Sequence, residues 1–77
     1  MIHTFTDKEP TLEEAQKLVG GYVTFLPLPP EMHDRMQVLV DEEGLLKDLP
    51  VNEEASNKFG QEIFGPVVVL EGDARWT

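Results

Sequence analysis

The spacing of apolar residues switches repeatedly between a period of two and one of three to four, and the switches fall at glycines, prolines or acidic clusters. Residues 2–6 alternate: Ile2, Thr4 and Thr6 point one way, His3 and Phe5 the other, which predicts a short edge strand. Asp7-Lys8-Glu9-Pro10 breaks it. Leu12, Ala15, Leu18 and Val19 then recur at spacings of three and four, predicting a helix over residues 12–19. Thr11 and Glu14 form a capping box at its start. Glu13 and Glu14 sit at the positive end of the helix dipole and Lys17 near the negative end. Gly20-Gly21 supplies the left-handed residue that stops the helix.

Tyr22 to Leu26 is β-prone and is ended by Pro27, Pro29 and Pro30. A polar connection over Glu31–Arg35 leads to a second β-prone run, Met36 to Val40, so the two runs are expected to pair as a hairpin with a long loop. Asp41-Glu42-Glu43-Gly44 reads as a turn with Gly44 at positive φ, after which Leu45-Leu46 resumes an extended path. Asn52 is a good N-cap for a short helix through Phe59, with Glu53 and Glu54 in its first turn, Lys58 in its last and Gly60 at its end. Beyond Gly65-Pro66, Val67 to Leu70 is apolar on both faces and predicts a buried strand. Residues 71–77 read as a tail to a core spanning 2–70. With no repeat or linker, the chain is one small domain of order β-α-β-β-α-β. The expected fold is α+β: a small, mainly antiparallel sheet with two short helices on one face. The alternative is a small Sm-like bent barrel with a leading helix, which requires residues 52–59 to be a loop and the chain to bend sharply near Gly65.

Charge narrows the function. Fifteen acids against six bases give a formal net charge of −9, which argues against a nucleic-acid partner, since such a protein needs clustered Lys and Arg to displace counterions. The same charge repels anionic membrane surfaces. No cysteine is present, so a disulfide scaffold, a thiolate metal site and a Cys nucleophile are excluded. The longest apolar run, Val67 to Leu70, falls far short of the ~18 residues of a membrane span. Residues 1–7 lack the basic and apolar regions of a signal peptide, and the expected location is cytoplasmic. A chain this short buries only ~60% of its unfolded surface, which makes homo-oligomerisation an expected aid to stability.

Candidate chemistry is sparse. The glycines of Gly20-Gly21-Tyr22 follow a helix, whereas phosphate-cradling glycines precede one, so they read as a helix stop. Asp41-Glu42-Glu43 lacks the twelve-residue ligand spacing of a calcium loop and reads as a solvated turn able to meet a basic partner. His3 and His33 each have acids nearby, which leaves a His-plus-carboxylate metal or acid/base pair open, but two isolated histidines with no Cys and no H-x-x-x-H spacing read as surface residues, since a ligand set needs several groups brought together. Ser56 lies in no nucleophile elbow. No catalytic residue, metal ligand or cofactor site is assigned, and the protein is not expected to be an enzyme. The aromatic residues Tyr22 and Trp76 offer rigid contact area, and Arg35 is one of six cations. The candidate binding residues are therefore Tyr22, Arg35, Asp41, Glu42, Glu43 and Trp76.

Five short motifs in order carry a resemblance: Leu18-Val19-Gly20-Gly21-Tyr22, Leu26-Pro27-Leu28, Val40 to Lys47 (VDEEGLLK), Leu49 to Ala55 (LPVNEEA), and Phe64 to Val69 (FGPVVV). Together they resemble a family of small proteins from tailed phages, prophages and actinobacteria, described as a domain of unknown function. The match spans about residues 12–70, and the chain departs from it in a short first strand and a longer insert over Pro29–Arg35. The resemblance implies a phage-associated accessory protein, sited in the host cytoplasm, and brings no catalytic residues. Two functions follow as expectations. The first is a non-enzymatic interaction module for a protein partner, basic or a second copy, engaged through a sheet edge or the acidic turn. The alternative is an oligomer that binds a nucleotide signal between protomers near Tyr22, Arg35 or Trp76.

Overall fold

The inner strand over Val67–Leu70 is apolar on both faces, and that fact decides how the elements stack. A computed structural model describes residues 1–76. It contains β1 (Ile2–Phe5), α1 (Leu12–Val19), β2 (Val23–Phe25), a single turn α2 (Pro30–His33), β3 (Met36–Asp41), α3 (Glu53–Phe59) and β4 (Val67–Glu71), followed by a 3₁₀ turn over Gly72–Ala74. The strands form one open sheet in the order β1-β4-β3-β2. β1 runs parallel to β4, with Ile2 opposite Val67. β4 and β3 are antiparallel, with Val38 opposite Val69, and so are β3 and β2, with Thr24 opposite Val40. The fold is α+β with a mainly antiparallel sheet, as the element order predicts.

The Sm-like alternative does not hold. Residues 53–59 are helical, and β1 and β2 lie at opposite edges of the sheet, which stays open. One detail of the expected architecture is also corrected: the two longer helices cover opposite faces. Ala55 and Phe59 of α3 pack with Ile63 on Val38, Val67 and Val69. Ala15 and Val19 of α1 pack on Leu39, Val68 and Leu70. The cause lies in β4, whose residues Val67 to Leu70 are all fully buried. A strand apolar on both faces must be covered twice, and each half-core needs its own helix.

Local signals set the helix ends. The Thr11 hydroxyl accepts from the Glu14 amide at 3.1 Å while the Glu14 carboxylate accepts from the Thr11 amide at 2.9 Å. Those bonds hold the Glu14 carboxyl below its ordinary range, the backbone amide of Thr11 contributing most. Gly20 closes α1 at φ 86° and Gly60 closes α3 at φ 68°. Asn52 caps α3 by accepting from the Ala55 amide at 3.1 Å.

The segment after β3 departs from expectation. Leu45-Leu46 does not extend, because residues 42–48 are a continuous turn closed by Lys47 N–H to Glu43 O and Leu49 N–H to Gly44 O. The positive φ falls on Asp48 (56°), not on Gly44. Asp tolerates that region, whereas glycine is needed at 44 for space: a Cβ there would lie 3.1 Å from the Phe64 carbonyl oxygen. The polar connection 31–35 contains the single turn α2, which begins at Pro30. The expected tail is tied down through residue 76, and Ala74 is fully buried; Thr77 lies outside the described residues.

Candidate functional site

The β2–β3 hairpin gathers four of the six candidate residues at one end. Tyr22 O accepts the Glu42 amide at 2.9 Å, which places Tyr22 opposite Glu42. Asp41 sits one step back along β3, and Glu43 one step on into the turn. Tyr22 is 70% exposed, and Glu42 and Glu43 are open to solvent.

Asp41 has a different role from its neighbours. Its side chain is 1% exposed. Oδ1 accepts the Glu43 amide at 2.8 Å and Oδ2 accepts Lys47 Nζ at 2.9 Å. Lys47 Nζ also donates to Gly20 O at 3.3 Å, at the end of α1. The pair thus staples the 42–48 turn to the first helix. Burial pushes the Asp41 carboxyl up, but the Lys47 bond, the Glu43 amide and the Lys47 charge together hold it below its ordinary range. With both oxygens engaged inside, Asp41 shapes the turn, and the carboxylates that face outward are Glu42 and Glu43.

Arg35 and Trp76 lie at the other end of β3, roughly 17 Å away at ~3.3 Å per residue. Arg35 Nε donates to Glu31 O at 3.2 Å. Trp76 is bound into the core on the α1 face. Its amide donates to Gln37 Oε1 at 2.6 Å, its carbonyl accepts from Gln37 Nε2 at 2.7 Å and its indole Nε1 donates to Pro10 O at 3.0 Å. Its ring meets Phe25 edge-on, with centroids 6.2 Å apart and planes at 81°. Tyr22 therefore does not form one site with Arg35 and Trp76 within a protomer.

Three features of this region escape the sequence pattern. Phe25 is 54% exposed despite its contact with Trp76. Leu45 and Leu46 stand outside the core on the turn, Leu46 at 82% exposure. An open groove of about 300 Å³ runs over Leu26, Val40 and Ile63, with Glu42 and Glu62 at its rim. The Leu45-Leu46 doublet beside three acids was the signal available for an exposed apolar site.

The outer edge of β2 is unpaired. Leu26 N–H bonds to Val38 O and Glu42 N–H to Tyr22 O, which makes the even-numbered residues of β2 the hydrogen-bonded partners of β3. The amides and carbonyls of Val23 and Phe25 accordingly point away from the sheet, where no described residue meets them. Among the described residues no helix is long and apolar enough to cross a membrane. His3 lies on β1 and His33 on α2, and no three His, Asp or Glu side chains gather in metal-holding geometry among the described residues.

No curated protein and no solved structure matches the chain significantly. A family model does match it over residues 2–77, the whole of the fold described above and more than the motif span of 12–70. The chain belongs to the family described as a domain of unknown function, DUF3846.

Proposed function

We propose that the protein is a small, acidic, non-enzymatic interaction module of phage or prophage origin, and that it binds a basic protein partner in the host cytoplasm through the outer edge of β2. The observation that carries this reading is the unpaired backbone of Val23 and Phe25, with exposed Tyr22 and the carboxylates of Glu42 and Glu43 gathered at one end of it. A free strand edge is a template for strand addition, in which main-chain hydrogen bonds supply affinity and neighbouring side chains supply selectivity. The net charge of −9 speeds and orients the encounter with a basic surface and makes it sensitive to salt.

Val23→Pro provides the test, because proline at that position removes only the outward-facing amide and leaves the ladder to β3 intact. Wild-type and variant protein are immobilised side by side and exposed to host lysate at low and high salt. The expected result is a defined set of basic proteins that is held by the wild type, released by salt and missed by the folded variant. Equal capture by both, or none by either, would overturn the proposal.

A further inference from the structure

The side chains flanking the free β2 edge carry different chemistry on the two faces of the sheet. On the α3 face lie Tyr22, Thr24 and Leu26, with the groove beyond them and the carboxylates of Glu42 and Glu62 at its rim. On the α1 face lie Val23 and Phe25, the latter half-exposed with its ring against Trp76. A strand added along this edge must present alternate residues to these two faces.

From this arrangement we infer that the occupant of the β2 edge is an extended segment in which Lys or Arg alternates with apolar residues. This rests on the interaction-module reading above and specifies its partner. The basic side chains face the groove and the apolar ones face Phe25. An added strand lies about 10 Å from β3, two strand spacings. A lysine or arginine lying across the Tyr22 and Thr24 positions closes that span to Glu42, Glu62 lines the same groove, and a guanidinium can also stack on Tyr22. Charge selects a basic occupant: among the described residues the only ion pairs are Met1–Glu54 and Lys47–Asp41, so Glu42, Glu43 and Glu62 have no cation, and the nearby Lys47 is already engaged. A second copy of the chain would bring the same three carboxylates against them, so charge disfavours it as the occupant.

The test uses the full chain and two capped seven-residue peptides of one composition. One alternates four lysines with three valines, and the other has the lysines in a block. Binding is followed by amide chemical shifts and by the emission of Trp76, the chain's one tryptophan. The expected result is that the alternating peptide shifts the amides of residues 22–26 and binds at least tenfold more tightly than the block peptide. Replacing Glu42 and Glu62 by Gln should weaken it by about threefold per charge, the scale of an exposed ion pair. Phe25→Ala should weaken it without changing its salt dependence. Equal affinity for the two peptides, or an unchanged affinity in the double Gln variant, would overturn the alternation while leaving the interaction module standing. Edge binding by a natural partner with no such pattern would do the same. Absence of any edge binding, by peptide or by lysate protein, would remove both. Concentration-dependent dimerisation that Val23→Pro abolishes would assign the edge to a second copy instead.

Discussion

Asn52 carries more of this fold than a helix cap usually does, and its replacement gives the sharpest test of how the domain is held together. Its Oδ1 accepts from the Ala55 amide, while Nδ2 donates to both Met1 O and Gly65 O at 2.9 Å. One buried side chain thus ties together the start of α3, the chain leading into β1 and the turn before β4. Asn52→Ala loses the cap, worth about 1 kcal/mol, and two hydrogen bonds worth about 1 kcal/mol each once the carbonyls are left short. The expected loss is about 2–4 kcal/mol, from a total of about 4–12 kcal/mol for a chain of this length. With a urea slope of about 1–1.5 kcal/mol per molar, the unfolding midpoint falls by about 1.3–4 M with an unchanged slope. Asn52→Asp separates the two halves of the role. It keeps the cap acceptor but turns a carboxylate toward two carbonyl oxygens, so its own carboxyl is raised and the variant regains stability as pH falls through that raised value. The assay is urea unfolding of both variants at pH 7 and pH 4. A loss under about 1 kcal/mol in Asn52→Ala, or wild-type stability of Asn52→Asp at pH 7, would show that the Nδ2 bonds contribute nothing.

Other expectations rest on separate parts of the molecule. The Asp41 carboxyl is lowered in the fold, so its contribution is present above the ordinary carboxylate value and is lost as pH falls through the lowered one. The stability gap between wild type and Asp41→Asn, measured by urea unfolding, should therefore shrink below about pH 4; a gap constant from pH 7 to pH 3 would contradict this. Gly20 and Gly65 both sit at positive φ, but a Cβ meets nothing within 4 Å at Gly20 and comes 2.7 Å from Leu49 Cδ1 at Gly65. Thermal unfolding should show Gly20→Ala losing about 1 kcal/mol and Gly65→Ala about 1–2 kcal/mol more, and equal losses would refute the steric term. Gln37→Ala breaks both bonds to Trp76 and should cost about 1–2 kcal/mol while shifting tryptophan emission to the red. Unchanged emission would mean that the Phe25 and Pro10 contacts alone hold the indole.

What could be read from the sequence, and what could not, divides along the range of the interaction. Thr11, Glu14, Gly20 and Gly60 act on backbone within four residues, as does the cap bond of Asn52, and each does what its local context predicts, whereas the Asn52 Nδ2 bonds to Met1 O and Gly65 O have no local signature. Val67 to Leu70 is legible as a buried strand, yet its two apolar faces already required the helices to part, which the expectation of one covered face overlooked. Gly44 answers to Phe64, twenty residues on, and Trp76 to Gln37, thirty-nine residues back, so neither constraint has a local signature. Asp41 reads as one of three solvated acids because the lysine that lets it go inside is six residues away, beyond a turn. At the candidate site the pattern identified Tyr22, Glu42 and Glu43, which the hairpin does bring together. It included Arg35 and Trp76, which lie at the other end of β3, and it missed Phe25, Leu45 and Glu62, whose exposure follows from where the sheet ends.

That ending is itself a consequence of size. A four-stranded sheet with a helix on each face has used its faces to build a core, and the backbone left uncommitted lies along its two edges. An open edge is a hazard, because it pairs with any extended chain, and natural sheets blunt it with short strands, prolines and charge. β2 has all three: three residues, Pro27 directly after Leu26, and Glu42 and Glu62 beside it. Short length and proline weaken every incoming strand alike. Charge does not, since carboxylates repel acidic chains, the protein's own copies included, and attract basic ones. The same residues that keep the edge from indiscriminate pairing therefore give it a preference, and at β2 protection and selectivity come from one set of side chains.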